Sequence, residues 1–173
     1  MEPSATKVGF RGDFLSVDIE DWPGQPAHEI VHKLSAAAVL PITPEGDVVL
    51  VRQLRPAIRQ VLTEIPAGLL DVDGEDALTC ATRELFEETG LRHTTIEFLA
   101  GYYPSPGFTD EYVHLFWCET VSEPEGDPEE GIEVLRRPLH DMIVSARNGK
   151  VRDSKTAIAL LLADGRARLS ARS

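Results

Sequence analysis

The sequence has little that would suit a secreted, membrane-spanning or disulfide-stabilised protein. Only two of its 173 residues are cysteines, too few for a disulfide framework. No apolar run reaches the roughly 18 residues of a membrane span, and the N-terminus lacks the apolar core of a signal peptide. We therefore expect a cytoplasmic protein with no membrane partner, in which Cys80 on a helix and Cys118 on a strand are buried free thiols.

Basic residues are also scarce. The chain has 17 Lys and Arg against 29 Asp and Glu, for a formal net charge of −12. A nucleic acid or an anionic membrane surface needs a basic footprint, so neither is an expected partner. A phosphorylated small molecule is not excluded, because it needs only a few local arginines and a metal ion.

The pattern of elements predicts an α/β protein. Predicted strands are interspersed with about three helices, which favours a mixed sheet with helices on both faces. The predicted strands of the main domain are 36–42, 48–55, 60–65, 95–102, 112–119 and 132–137, and the predicted later helices are 139–147 and 154–162, the last capped by Asp153. An acidic, mobile loop is expected at 121–131.

The first 35 residues are predicted to form a separate small antiparallel β-sheet. Residues 14–20 alternate apolar and polar side chains, and residues 29–34 resume as a strand after a turn-rich segment. Two or three strands alone are too few to be stable in water, so they must pair with the main domain, residues 36–173, or with a second copy of the chain.

The most informative stretch is 66–91, a glycine-bearing loop followed by one acidic helix. Asp73 or Gly74 is predicted as the N-cap, and Gly90 suits the left-handed position after the last turn. An apolar stripe at spacings of three and four faces the core, formed by Leu78, Ala81, Thr82 and Leu85.

Carboxylates crowd the neighbouring face of this helix. Glu84 and Glu88 are one turn apart, with Glu87 beside them. Like charges four residues apart cost a helix roughly 0.2–0.5 kcal/mol per pair, a cost that a hard divalent cation would remove. The alternative is a solvated acidic face, as charge runs usually are.

This stretch resembles the signature of the Nudix hydrolases, G-x5-E-x7-R-E-U-x-E-E-x-G-U, where U is aliphatic. The second half matches at every position: Glu75, seven residues, Arg83-Glu84-Leu85, one residue, Glu87-Glu88, one residue, Gly90-Leu91. The first half has one extra residue between Gly68 and Glu75. The resemblance implies an α/β/α sandwich spanning about 36–165 and hydrolysis of a nucleoside diphosphate linked to another moiety.

The resemblance also implies roles for the residues of the box. Glu84 and Glu88 would be the main Mg²⁺ ligands, Glu87 a further ligand or catalytic partner, and the carbonyl of Ala67 an additional oxygen ligand. Arg83 would orient the carboxylates by pairing with Glu75 or Glu87, with Glu75 structural. Mn²⁺ and Zn²⁺ are alternative cations.

Further residues indicate the substrate. Arg52 and Arg55 are candidates for binding the diphosphate, because a guanidinium fork matches phosphate oxygens, although their spacing places them on opposite faces of a strand. Pro106, about fifteen residues past the box and within Ser105-Pro106-Gly107, resembles the mark of the ADP-ribose pyrophosphatase subgroup. Glu64 is a further candidate near the terminal ribose, and Glu111 is a candidate near the terminal ribose or a metal.

The general base and the adenine site are less sharply indicated. The subgroup takes its base from a mobile acidic loop, where Glu130 is preferred and Glu129 is next. Trp22, Phe14 or a partner-chain residue such as His28 could stack on the adenine, since the subgroup uses such an N-terminal segment to form a homodimer.

The leading interpretation is therefore a Mg²⁺-dependent ADP-ribose diphosphatase that yields AMP and ribose 5-phosphate. A second is a Nudix hydrolase of another nucleotide sugar, NADH or an oxidised nucleotide. A third is a non-catalytic sensor that binds ADP-ribose, which the intact box carboxylates and the absence of a basic extension disfavour.

Overall fold

The computed structural model describes residues 2–170, with side chains described as far as residue 165. It contains a three-stranded sheet, a seven-stranded sheet and three helices. Within the described residues, no helix is both long enough and apolar enough to cross a membrane.

The small sheet is antiparallel throughout. It is formed by β1 (Ala5–Arg11), β2 (Leu15–Asp21) and β3 (His28–Lys33), in that order. The separate N-terminal sheet predicted from the sequence is present. Strand β1 was not individually predicted, because all seven of its residues are exposed and its side chains show no buried face.

The large sheet is mixed. Its strands are β4 (Ala36–Ile42), β5 (Asp47–Arg55), β6 (Gln60–Glu64), β7 (Ala67–Leu69), β8 (His93–Tyr102), β9 (Val113–Thr120) and β10 (Glu133–Pro138). The main order is β10-β5-β4-β9-β8, with β6 beside β5 and β7 beside β4. Strands β4 and β9 are parallel and the other pairs are antiparallel.

Helices cover both faces of this sheet. On one face α1 (Ala77–Thr89) buries Cys80 and Leu85 against Val49 of β5. On the other face α2 (Leu139–Arg147) and α3 (Ser154–Ser170) pack around Leu50. The predicted α/β/α sandwich is confirmed, and neighbouring residues of β5 face opposite layers, as strand geometry requires.

The start of α1 differs from the sequence-based prediction. The N-cap is Asp76, whose carboxylate accepts a hydrogen bond from the Thr79 backbone N–H at 2.8 Å, and not Asp73 or Gly74. Gly74, with φ of 79°, instead serves the preceding turn, in which the Glu75 N–H donates to the carbonyl of Val72. The extra residue before Glu75 is accommodated in this exposed turn.

The other helix boundaries follow local chemistry. Gly90 ends α1 in the left-handed region, with φ of 71°, as predicted. Asp153 caps α3 by accepting from the Thr156 N–H at 2.9 Å, also as predicted. Helix α3 continues to Ser170, beyond the predicted end at residue 162.

The acidic loop between β9 and β10 has no strand or helix, as expected, but it is tied to the end of α1. The Glu125 N–H donates to the carbonyl of Gly90 and the Glu129 N–H donates to the carbonyl of Glu87, both at 2.8 Å. Gly126 lies against the ring of Phe86, where a Cβ would come within 2.9 Å of it. The loop therefore lies directly beside the acidic helix.

Candidate active site

Helix periodicity separates the three box glutamates. Glu88 lies on the buried face of α1 with Leu85 and is 5% exposed, whereas Glu87 points outward and its side chain is 49% exposed. Glu84, one turn before Glu88, is intermediate. The sheet-facing carboxylates are therefore Glu84 and Glu88.

Glu88 is a buried carboxylate held by the loop before the helix. Its Oε2 accepts a hydrogen bond from the Ala67 N–H at 3.1 Å. Burial is the main cause that raises the pKa of Glu88 to about 7; the Ala67 N–H opposes the shift and the nearby charge of Glu84 adds to it. A carboxyl group with this pKa is costly to ionise unless a cation is close.

Glu84 lies against Gly68. A Cβ at Gly68 would come within 1.9 Å of the Glu84 carboxylate, so a side chain at this position would displace that carboxylate. Burial raises the pKa of Glu84, although the charge of Arg83 acts against the shift. Gly68, which has no Cβ, therefore allows strand β7 to approach α1 closely.

Arg83 lies at the centre of the box. It donates to both oxygens of Glu75 at 2.9 Å, to Glu84 at 2.5 Å and to Glu87 at 2.9 Å. The hydrogen bonds from Arg83 lower the pKa of Glu75. Pairing with Glu75 or Glu87 was expected, and Arg83 pairs with both; that it orients the carboxylates stays a prediction.

The chemistry of the donor set suits a hard cation. Glu84 and Glu88 supply only oxygen atoms, and burial, partial for Glu84, raises both of their pKa values, so bound positive charge would favour their ionised forms. In the described part of the chain, no three His, Cys, Asp or Glu side chains are already arranged around a common point for a metal. Arg83 binds Glu84 and Glu87 instead, and a cation would have to replace it.

A cleft of about 360 Å³ opens beside this loop. Ala67, Gly68 and Leu69 form one wall. Charged side chains line the rest: Lys33, Arg55, Glu111, Asp153 and Lys155. Three cations and two carboxylates therefore line the space next to Ala67 and Gly68, and the guanidinium and ammonium groups are of the kind that bind diphosphate oxygens.

Glu64 holds two of these cations in place. It is 1% exposed, and its carboxylate accepts from Arg55 Nε at 2.8 Å, from Arg55 Nη2 at 2.7 Å and from the Lys155 ammonium. Burial alone would raise the pKa of Glu64, but the hydrogen bonds and charges of Arg55 and Lys155 keep it below its usual value. The predicted role of Glu64 was to bind ribose, yet here its carboxylate is engaged with protein cations.

Arg52 and Arg55 face different layers. Arg55 lines the cleft beside the box, whereas Arg52 pairs with Glu133 at 2.9 Å and lines a second cleft on the α2 side. The structure therefore places only Arg55 with the box residues.

The loop before β9 contributes fewer residues to the lining of the cleft than expected. Pro104 and Glu111 line the cleft, and Glu111 pairs with Lys33 at 2.5 Å. Ser105 accepts hydrogen bonds through its carbonyl from the Phe108 and Thr109 N–H groups, at 3.2 Å each. Pro106 and Gly107 are exposed at the loop surface.

The two candidate bases lie differently. Glu129 shares a surface depression with Phe86, Glu87 and Asp127, at the outer end of the box. Glu130 is exposed, and it is not among the residues that line this depression or the cleft. The structure therefore brings Glu129, and not Glu130, next to a box residue.

The candidate adenine-stacking residues lie in the small sheet and its turn. Trp22 donates through its indole N–H to Glu20 at 3.0 Å, and His28 hydrogen-bonds Gln25 at 3.1 Å. Phe14 is strongly exposed. Of the residues the structure describes, none of these three lines the cleft in the same chain.

Sequence reasoning missed three residues of the cleft. Lys33 and Lys155 supply cations, and the Tyr102 hydroxyl is buried at the cleft without a hydrogen-bond partner among the described residues. Lys155 is 91 residues from Glu64. No local pattern could have linked them, because the contact exists only after the sheet and α3 pack together.

Comparison with known proteins agrees with this geometry. The chain is 38% identical over 159 residues to an ADP-ribose pyrophosphatase of Bacillus subtilis (strain 168), covering 87% of this chain and 85% of that protein. It is 37% identical over 144 residues to a GDP-mannose pyrophosphatase of Cronobacter sakazakii (strain ATCC BAA-894), covering 76% and 74%. A crystal structure described as an ADP compounds hydrolase has the same fold, with a TM-score of 0.80, 20% identity and coverage of 100% and 98%.

The family assignment now has both sequence and structural support. The family model described as the NUDIX domain matches residues 32–160, which include the loop, the acidic helix and the cleft. The resemblance recognised from the box is therefore confirmed, and the chain belongs to the Nudix family.

Proposed function

We propose that this protein hydrolyses the diphosphate of ADP-ribose to AMP and ribose 5-phosphate. The observation that carries the proposal is a cleft lined by Arg55 and Lys155 together with Ala67 and Gly68, the two residues that contact Glu88 and Glu84. The similarity to an ADP-ribose pyrophosphatase over most of both chains supports the choice of substrate. Water adds to one phosphorus, the bridging P–O bond breaks, and two phosphomonoesters leave.

The cationic and the anionic side chains of the site have different proposed roles. Arg55 and Lys155, fixed by Glu64, bind the diphosphate oxygens and hold them beside the box. Glu84 and Glu88 hold a divalent cation, for which we propose Mg²⁺, with Mn²⁺ or Zn²⁺ as alternatives and Glu87 and the Ala67 carbonyl as further ligands. When bound, this cation neutralises charge on the diphosphate and lowers the pKa of a bound water.

Arg83 is a positioning residue in this scheme. It donates to both carboxylate oxygens of Glu75, and this pair would hold Arg83 in place if Glu84 and Glu87 served as cation ligands. Glu130 or Glu129 accepts the proton of the attacking water. The loop contact between the Glu129 N–H and the Glu87 carbonyl supports a base from this segment.

The N-terminal sheet, within residues 1–35, is proposed to form a homodimer and to supply substrate contacts from Trp22 and His28. The exposed apolar side chains of Val8, Phe10 and Phe14 on a small sheet support this, because such clusters commonly mark interfaces. Light scattering at the mass of a dimer is the expected result, and a monomer mass would contradict it. Two free cysteines support the expected cytoplasmic location.

A substrate panel tests the activity. ADP-ribose, GDP-mannose, NADH and a nucleoside triphosphate are compared with Mg²⁺, Mn²⁺ and Zn²⁺, and we expect the highest kcat/KM for ADP-ribose with Mg²⁺. GDP-mannose is the second candidate, since a relative of comparable identity is named for it. A clear preference for the triphosphate would contradict the diphosphatase assignment.

A further inference from the structure

A second cleft lies on the α2 side of the large sheet, away from the acidic helix. It measures about 590 Å³ and is enclosed by β5, β6, β10, α2 and the turn before α3. This volume is within the roughly 300–1,000 Å³ typical of small-molecule sites. Its wall on β5 includes Arg52, which faces the opposite layer from Arg55 of the catalytic cleft.

The rim of this cleft is basic. Arg52, Arg137, Lys150 and Arg152 line it, and among the described lining residues there is no Asp or Glu. Acidic residues outnumber basic ones by 29 to 17 in the whole chain, so a cluster of four cations runs against its average charge. Such a local reversal suits an anionic ligand.

Most of this positive charge is not neutralised by the protein. Arg52 pairs with Glu133 at 2.9 Å. Arg152 donates to the neutral amide oxygen of Gln60 at 2.9 Å, and Arg137 donates to the carbonyl of Arg136 at 2.8 Å. Among the side chains that the structure describes, those of residues 2–165, neither of these two arginines nor Lys150 forms a salt bridge.

The floor of the cleft is apolar. Leu135, Met142 and Val151 are half-buried there and extend the hydrophobic core under α2 and α3. A bare inorganic anion would leave this surface in contact with water. A ligand with a planar or apolar body would cover it, while its phosphate met the rim.

We propose that this basic cleft is a second ligand site that binds a nucleoside monophosphate, with the base on the apolar floor and the phosphate at the cationic rim. Nucleic acid fits less well, because the net charge of −12 repels an extended polyanion beyond the rim. The site does not depend on the proposed catalytic activity, since it shares no lining residue with the catalytic cleft.

The sequence offers a selective probe of the floor. The chain has two methionines, Met1 and Met142, so protein labelled with ¹³C-methyl methionine gives two methyl resonances, and that of Met142 reports on the floor of the cleft. AMP is titrated into the full-length protein in EDTA, where the diphosphatase is inactive. We expect the Met142 methyl resonance to shift with a saturable dependence on AMP. An unmoved resonance would overturn the proposal.

Charge-reversal variants identify where the phosphate binds. Arg137→Glu/Lys150→Glu changes two exposed rim residues and should weaken the AMP affinity measured at Met142 by roughly tenfold or more, because charge-assisted hydrogen bonds are lost. Lys7→Glu, an exposed residue of β1, is the matched control and should titrate like the wild type. Equal affinity of the rim variant and the wild type would refute the site.

Two partial ligands separate the halves of the proposed ligand. Adenosine lacks the phosphate and inorganic phosphate lacks the base, so each should bind more weakly than AMP by roughly tenfold or more. If inorganic phosphate bound as tightly as AMP, the site would be a simple anion site, and the nucleotide proposal would be wrong. If adenosine bound as tightly as AMP, the cationic rim would not bind the phosphate as proposed.

Discussion

Two charged clusters lie near strand β7, one in contact with Gly68 and the other lining the cleft beside it, and their charges are arranged in opposite senses. In the box cluster one guanidinium, Arg83, is shared by the carboxylates of Glu75, Glu84 and Glu87. In the Glu64 cluster one buried carboxylate is shared by Arg55 and Lys155. The first cluster has excess negative charge, whereas the second is balanced, because Lys155 also pairs with Asp153 at 2.8 Å.

The difference shows which cluster can exchange partners. The box cluster has more carboxylates than Arg83 can neutralise, so a divalent cation can take Glu84 without leaving Arg83 unpaired. Glu64 is 1% exposed and has no such freedom, because releasing its cations would leave a buried, unpaired charge. The box cluster is therefore suited to binding a cation, and the Glu64 cluster to holding Arg55 and Lys155 rigidly.

The largest expected effect is the loss of activity when the box cluster is changed. Glu88→Gln keeps the shape of the side chain and removes its charge, so it should lower kcat/KM for ADP-ribose by more than roughly 100-fold, since losing even an outer partner of a metal ligand costs 10–100-fold. Steady-state kinetics at several Mg²⁺ concentrations measure this, and thermal unfolding should show an intact fold. Activity like that of the wild type would contradict the metal-binding role.

The next expected effect breaks the Glu64 cluster. Glu64→Gln leaves Arg55 and Lys155 without their shared anion and should lower the free energy of unfolding by about 3 kcal/mol, the low end for a broken buried pair, because Arg55 is 39% exposed. Urea denaturation measures the change.

A second substitution controls for this stability effect. Adding Arg55→Met to Glu64→Gln removes the cation whose salt-bridge partner among the described residues is Glu64, whereas Lys155 keeps Asp153, so the double variant should recover part of the lost stability. A double variant less stable than Glu64→Gln alone would show that Arg55 does not depend on Glu64.

The two clusters also differ in how far the sequence could predict them. Arg83, Glu84 and Glu88 lie within two turns of one helix, so helix periodicity alone places them together. The Glu64 cluster joins β5, β6 and the start of α3, and its Lys155 contact spans 91 residues. Glu64 and Arg55 were recognised as site residues, but nothing local indicated that they bind each other.

The N-cap of α1 was wrongly predicted because the preferences for helix capping and for turns competed over the same residues. Asp73, Gly74 and Asp76 can all precede a helix, and the sequence did not show that Gly74, at φ of 79°, was needed for the turn. Strand β1 was not individually predicted because it has no buried face. The sandwich was predictable because buried strands and the amphipathic helices α1 and α2 carry clear periodicity.

A substitution of Gly68 should have a smaller effect, on the cation affinity of the box cluster. Gly68→Ala places a Cβ within 1.9 Å of the Glu84 carboxylate, so Glu84 must move. The Mg²⁺ concentration for half-maximal activity should rise by roughly tenfold, as for other displaced partners of a metal site.

Gly107→Ala is the matched control for this substitution. An added Cβ at Gly107 meets no atom within 4 Å, so the Mg²⁺ dependence should stay unchanged. If both alanine variants responded equally to Mg²⁺, the close approach of Gly68 to Glu84 would have no part in cation binding.

The smallest expected effect comes from an exposed pair that joins the small sheet to the loop before β9. His32 Nδ1 lies 2.6 Å from Asp110 Oδ2, and this hydrogen bond raises the pKa of His32 above its ordinary 6.5, aided by the charges of Asp110, Asp18 and Glu20 and opposed by partial burial. A raised histidine pKa adds stability that is complete below the unfolded pKa and is lost as pH rises through the folded one. His32→Gln should therefore cost about 0.2–1 kcal/mol near pH 5.5 and progressively less at higher pH, because a pair this exposed is largely screened.

Urea midpoints measured across pH for the wild type, His32→Gln, Asp110→Asn and the double variant test this coupling. The two single losses should not add at low pH, because each removes the same interaction. Additive losses, or a cost of His32→Gln that grows with pH, would show that the pair does not fasten the small sheet to the loop. The exposed pair would then contribute nothing to stability, whereas the buried carboxylate of Glu64 would still hold its two cations. Burial would then be what distinguishes the two charged groups.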